Sequence, residues 1–316
     1  REQGIDVQKD NITVAGIGDM SGDVFGNGLL CSKAVKLIAA FDHRDIFIDP
    51  DPDPALSYDE RKRIFDLPRS SWEDYNKKLI SKGGGIYSRR AKSIPLNAQM
   101  KELFGFDDET NSATPSDLIR AILKSHIDLL WFGGIGTYVK AHSESNSQVG
   151  DRANDLIRIN GKELNCKVIG EGGNLGCTQL GRIEYCLNGG MMNTDAVDNS
   201  AGVDCSDNEV NIKILLNSIV ADGTLTVKQR DKLLEAMTDD VAELVLRDNY
   251  LQTQAISLAK SSSVRQLDSF IRYLDELEKS ANLDRELEFL PNDEDLVERE
   301  EHALGLTRPE NSVLIA

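Results

Sequence analysis

The sequence is short of positive charge. Its 36 lysines and arginines face 53 aspartates and glutamates, giving a formal net charge of −17 at pH 7 and a pI near 4.7. No basic stripe offsets the carboxylates, so no nucleic acid is expected as a partner. Also missing is any run of about 18 consecutive apolar residues, the minimum for a membrane-spanning helix. Cysteine is scarce. Cys31, Cys166, Cys177, Cys186 and Cys205 form no C-x-x-C pair, and their odd number lacks the spacing of a disulfide framework. This points to reduced thiols in a cytoplasmic protein, serving as small buried apolar residues, and argues against a metal site. The four histidines have no spacing that suggests a metal site or a nucleophilic triad. There is no initiator methionine and no signal-peptide apolar stretch. Thr307 and Glu310 make a capping box with Pro309 in the first turn, so a helix is expected to run on past Ala316. A piece of a larger polypeptide is the expectation.

What is present begins at Asn11. The β-branched run Ile12–Ala15 leads into Gly16-x-Gly18-x-x-x-Gly22, with a helix expected over Asp23–Lys33. Strand, glycine turn and helix in that order suit a dinucleotide pyrophosphate. The first glycine turns tightly, the second lets the backbone approach the phosphates, and the helix N-terminus offers free N–H donors. Ser21 occupies the usual third-glycine slot. A second strand, Val35–Phe41, ends at Asp42, twenty residues after Gly22. A carboxylate there would accept from adenosine ribose hydroxyls and repel a 2′-phosphate, which favours NAD over NADP. His43 and Arg44 follow at once and temper that preference.

Strand and helix patterns alternate through the first two thirds of the chain. Asp49-Pro-Asp-Pro-Asp-Pro54 reads as an exposed, stiff connector. Ser57-x-x-Glu60, Ser71-x-x-Asp74 and Thr114-Pro-Ser-Asp117 read as helix starts. Lys82-Gly-Gly-Gly85 reads as a flexible loop. The apolar runs Ile127–Phe132 and Cys166–Ile169 read as buried parallel strands. Glycine-rich turns at Phe132–Thr137, Gly170–Gly176 and Asp198–Val203 would line one sheet edge, where open α/β sheets bind ligands. After about Cys205 the pattern is helical only. Leu233, Met237, Val241 and Leu244 share one expected helical face, Ser263-x-x-Gln266 is an expected cap, and Asn292 can cap a further acidic helix. The fold class is therefore α/β, a Rossmann-like doubly wound and mostly parallel sheet followed by an all-helical segment. The expected division is 1–208 for the nucleotide-binding part and 209–316 for the helical part.

These motifs resemble the catalytic region of large-type bacterial NAD-specific glutamate dehydrogenases. The resemblance is carried by Gly16–Gly28, Phe41-Asp-His-Arg, Ser70–Tyr75, Trp131–Lys140, Gly170–Asn174, Gln179–Tyr185 and Asn193–Ser206. It implies oxidation of L-glutamate to 2-oxoglutarate and ammonia with hydride passing to NAD, in a homo-oligomer. It implies that Gly16, Gly18, Ser21 and Gly22, with Asp19 and Met20 between them, hold the pyrophosphate. Asp42, with Arg44 beside it, would hold the adenosine ribose, and Gly133, Gly134 and Gly136 would line the adenine side. The loops containing Glu171, Gly172 and Asn174, and Asn199, would meet the nicotinamide ribose and carboxamide. The family's substrate domain carries a lysine in a glycine-rich loop and an aspartate. Neither is matched here, so no catalytic residue is assigned, and the isolated chain is expected to bind NAD without turning over glutamate. The alternatives are the cofactor domain of another amino-acid dehydrogenase, or a non-catalytic nucleotide-sensing module.

Overall fold

The computed structural model describes residues 3–315. Among them ten strands follow in chain order: β1 (Ile12–Ile17), β2 (Val35–Phe41), β3 (Asp45–Ile48), β4 (Gly85–Ser88), β5 (Ile94–Pro95), β6 (Ser112–Ala113), β7 (Leu129–Phe132), β8 (Val139–Lys140), β9 (Ile159–Asn160) and β10 (Val168–Glu171). Six of them form the main sheet in the order β10-β7-β1-β2-β3-β4. The pairs β10–β7, β7–β1 and β1–β2 are parallel, whereas β2–β3 and β3–β4 are antiparallel. The expected strand at Ile127 starts two residues later, at Leu129, and the one at Cys166 starts at Val168. No periodicity in the sequence announces β3 or β4.

Helices cover both faces, as the alternation of apolar strands and helices requires. On one face α1 (Asp23–Leu30) and α2 (Pro54–Phe65) pack on the sheet. Phe25, Leu29, Ile64 and Trp72 there join Val14, Leu37 and Phe47 in one core cluster. On the other face lie α3 (Ala98–Phe104) and α4 (Pro115–Leu123). Met100, Leu118, Ile119 and Ile122 there bury Ile17, Phe41 and Ile48. Helix α1 ends at Leu30 rather than Lys33. Ser32 turns the chain by donating to the Val7 carbonyl and accepting from the Ala34 N–H.

Several expected caps move. Helix α2 starts at Pro54, with Asp53 accepting from the Leu56 N–H at 2.9 Å. Ser57 therefore lies inside the helix, where its hydroxyl accepts from Arg61. Ser71 and Asp74 do form a capping box, but around a single 3-10 turn, Trp72–Asp74. The Lys82–Gly85 segment is a packed turn leading into β4, because a Cβ on Gly84 would lie 2.5 Å from the Ile48 carbonyl oxygen. Thr114 caps α4 as expected.

A four-residue helix, α5 (Asn146–Val149), precedes α6 (Gln179–Leu187), α7 (Asp195–Asp198) and α8 (Ala201–Cys205). The Asp198–Val203 stretch is thus a junction of helices and not a glycine turn after a strand. A π-helical turn, Ser206–Val210, joins α8 to α9 (Asn211–Ala221), so position 208 falls inside a continuous helical run. Then come α10 (Val227–Ala236), α11 (Thr238–Ser263), α12 (Leu267–Ser280), α13 (Asp293–Glu301) and α14 (Arg308–Ile315). The stripe expected from Leu233 to Leu244 is broken at Met237, the C-cap of α10. Ser263 ends α11 instead of capping α12, since its hydroxyl bonds back to the Lys260 carbonyl. Asn292 caps α13 and Thr226 caps α10, both as expected. A small separate core, including Leu267, Leu274, Leu296 and Leu306, joins the last three helices. Among the described residues no helix is long and apolar enough to cross a membrane.

Candidate functional site

At the carboxyl ends of β1, β2 and β7 the chain leaves a cleft of about 950 Å³. Its floor is the turn after β1. Gly18 has φ +141°, a backbone state that L side chains rarely adopt, and a Cβ there would lie 2.7 Å from the Phe25 ring. The turn is held from below as well. The Gly18 N–H donates to the Phe41 carbonyl at 2.7 Å, and the Trp72 indole N–H donates to the Gly18 carbonyl at 3.0 Å. Gly22 is the N-cap of α1 and supplies no capping side chain. The helix end therefore keeps free N–H donors beside the cleft, which suits an anionic group.

Asp42 stands at the end of β2 and is 7% exposed. Its Oδ1 accepts from the N–H groups of Arg44 and Asp45 at 2.7 and 2.6 Å. Its Oδ2 is buried and has no hydrogen-bond partner, though the Arg44 guanidinium comes within 3.6 Å. Burial raises the Asp42 carboxyl above its ordinary value, and neighbouring Asp19 adds to the rise. Burial opposes charge on Asp19 too, but hydrogen bonds with Ser21 and with the Asp42 carboxyl, and the charge of Arg44, outweigh it and hold that carboxyl below its ordinary value. The Asp19 and Asp42 carboxyls thus lie against one another at the cleft, the buried Asp42 Oδ2 meets no N–H or O–H donor, and the other end of the cleft offers N–H donors. A ligand bearing both hydroxyl donors and an anionic linker fits that arrangement.

The second wall comes from the loops after β7 and β10. Tyr138, its hydroxyl pushed up to about 12 by burial, donates to the Ile135 carbonyl at 2.9 Å. Asn174 accepts a hydrogen bond from the Asn199 side-chain amide. Behind this loop, Glu171 is wholly buried and paired with Arg182 at 2.7 Å. Arg182 also reaches Asp195 at 3.1 Å. Burial pushes the Glu171 carboxyl up to about 7 against the pull of Arg182. The Glu171 carboxylate therefore braces the loop from the protein interior and does not face the cleft.

A family model described as "Bacterial NAD-glutamate dehydrogenase, catalytic domain" matches residues 1–259. The chain belongs to the bacterial NAD-glutamate dehydrogenase family. Proteins named NAD-specific glutamate dehydrogenase resemble it along its whole length: 57% identity over 316 residues in Halomonas elongata, 58% over 316 in Pseudomonas aeruginosa and 54% over 320 in Mycobacterium tuberculosis. The chain spans about a fifth of the length of these curated relatives, 20%, 19% and 20% respectively.

In this member of the bacterial NAD-glutamate dehydrogenase family, Gly18, Asp19, Ser21, Gly22, Asp42, Gly133, Gly134, Gly136 and Asn174 all line the one cleft. Gly16 lies beneath it, where a Cβ would be 2.6 Å from the Phe25 ring. Met20 is buried in the core with Phe25 and Trp72. Gly172 makes room for the Trp131 ring, 2.6 Å from where its Cβ would stand. Arg44 reaches the site through Asp19 and Asp42, and Asn199 through Asn174. Arg89, Arg90, Asp151 and Asn154, outside every motif, also line the cleft, as does Tyr138, which the Trp131–Lys140 motif contains but does not mark as a site residue. Arg89 donates to the Asp42 carbonyl at 2.7 Å. Its only sequence signal is the arginine pair following β4. Of the cysteines, Cys166 and Cys177 are buried, but Cys31 is exposed, so packing does not account for all five.

Proposed function

We propose that this chain is the dinucleotide-holding part of an enzyme that oxidises L-glutamate to 2-oxoglutarate and ammonia, with NAD accepting the hydride. The observation that carries the reading is the unpartnered, buried Oδ2 of Asp42 at the rim of a glycine-floored cleft. Family membership and the names of the relatives support the substrate class. When bound, NAD supplies the electron-pair acceptor for the substrate's Cα–H. The residues of the chain do the rest. Asp42 accepts from the adenosine ribose hydroxyls, and its negative charge disfavours a 2′-phosphate. The Gly18–Gly22 turn and the α1 N-terminus receive the pyrophosphate. The Asn174–Asn199 amide pair orients the carboxamide, with Gly172 letting the loop pack closely on Trp131.

No lysine lines the cleft among its described residues. Because the family's lysine in a glycine-rich loop is not matched in this sequence, the proton-transferring lysine and aspartate are assigned to sequence outside these 316 residues. A homo-oligomer belongs to the same reading, and the exposed Ile214, Leu215, Leu246 and Leu258 on α9 and α11 offer apolar surface for the rest of the polypeptide or a neighbouring subunit to cover. The test is reduction of 2-oxoglutarate by NADH and ammonium, run with this chain and with the full-length enzyme. The full enzyme is expected to turn over and this chain to give no more than background. Robust turnover by the chain alone would overturn the assignment of the lysine, and a full enzyme preferring another 2-oxo acid would overturn the substrate.

A further inference from the structure

Leu175 combines features that packing alone leaves unexplained. Its φ is +62°, in the left-handed region that bulky residues avoid. Glycines stand close by on either side, yet the turn falls on a leucine. Two elements hold it there. The Leu175 N–H donates to Asp195 Oδ2 at 2.8 Å, and its carbonyl accepts from the Thr137 hydroxyl at 2.7 Å. Asp195 is itself fixed by the Arg182 guanidinium. The backbone is thus clamped between the β7 loop and α7, and the side chain stays 67% exposed. It lines the cleft next to Asn174. A strained residue held by its surroundings, with its apolar side chain turned to solvent, is characteristic of ligand contacts.

We propose that Leu175 is the apolar platform on which the nicotinamide ring lies, placed by the strained turn beside the Asn174–Asn199 amides. The inference rests on the dinucleotide reading and refines it. With Asp42 at the end of β2 holding the adenosine and the turn after β1 taking the pyrophosphate, the ring falls to the β10 side. An aliphatic side chain gives the flat ring a face to cover and keeps water from it. The neutral ring of NADH gains more from such a surface than the cationic ring of NAD.

The test titrates NADH and ADP-ribose against the full-length enzyme as wild type, Leu175→Gly and Leu175→Met. Glycine tolerates φ +62°, so the turn survives while the platform is lost. Leu175→Gly is expected to weaken NADH binding about tenfold. Binding of ADP-ribose, which has no nicotinamide, should be unchanged, and Leu175→Met should restore NADH affinity. Equal losses for both ligands would show that Leu175 only shapes the loop, and unchanged NADH affinity would show that it makes no contact; either overturns the proposal. If the wild type binds neither ligand, the dinucleotide reading fails and takes this inference with it.

Discussion

Single residues carry most of the chemistry, and their legibility in the sequence was uneven. The position of Asp42 in the cleft is legible because it depends on local order: a strand, an acidic residue at its end, and a fixed distance from the glycine turn. Gly16 and Gly172 were also visible, but their close approach to Phe25 and Trp131 depends on side chains far along the chain or folded back on it. Trp72 lies in the Ser70–Tyr75 motif, but nothing in that motif tells that its indole supports the Gly18 turn. It stacks on Phe47 with centroids 4.7 Å apart and donates to the Gly18 carbonyl. Trp72→Phe keeps the stack and removes the donor, leaving a carbonyl of the turn unpaired. The expected cost is about 1–3 kcal/mol of stability together with weaker NADH binding, measured by denaturant unfolding and titration. Glu171 gives a pH test. Because its carboxyl lies at about 7 in the folded chain against an ordinary value of about 4.3, the folded state binds this proton more tightly than the unfolded state. Its contribution to stability is present below the ordinary value and is lost as pH rises towards 7. The melting temperature of Glu171→Gln should therefore gain on that of the wild type across that window, and parallel curves would contradict the assignment.

At the scale of elements, the parallel strands and the Thr114-capped α4 were readable, because apolar runs, Pro115 and the Thr114 cap are local signals. The antiparallel β3 and β4 were not. Their pairing, Ile46 with Tyr87 and Phe47 with Ile86, joins residues about forty apart, and together with the Arg89 N–H donating to the Arg44 carbonyl it brings Arg89 to Asp42. The Ser263 cap failed for a related reason, since Ser263 packs against Gly305, which no local pattern predicts. Helix α6 is tied to the end of β10 by Arg182. Its guanidinium serves both Glu171 and Asp195, and Asp198 lies half-buried beside them, accepting from the Glu171 N–H. Arg182→Met would leave the Glu171 and Asp195 carboxylates without their cation, at an expected cost of about 3–5 kcal/mol. Thermal unfolding checks it, and a loss below about 1 kcal/mol would remove the ion pair from the account.

Over the whole molecule, the doubly wound sheet puts its free turns along one edge, and this is why sequence motifs scattered from Gly18 to Asn174 meet in one cleft. The acidic surface gives no general attraction for a pyrophosphate, so the proposed reading draws affinity from the backbone N–H donors and specificity from Asp42. The measurement that tests this most directly is calorimetric titration of NADH and NADPH into the wild-type chain and Asp42→Asn. NADH is expected to bind the wild type at least about tenfold more tightly than NADPH, an increment of about 1.4 kcal/mol, and Asp42→Asn should erase most of that difference. Equal affinity for the two ligands in the wild type, or a preference untouched by Asp42→Asn, would contradict the account.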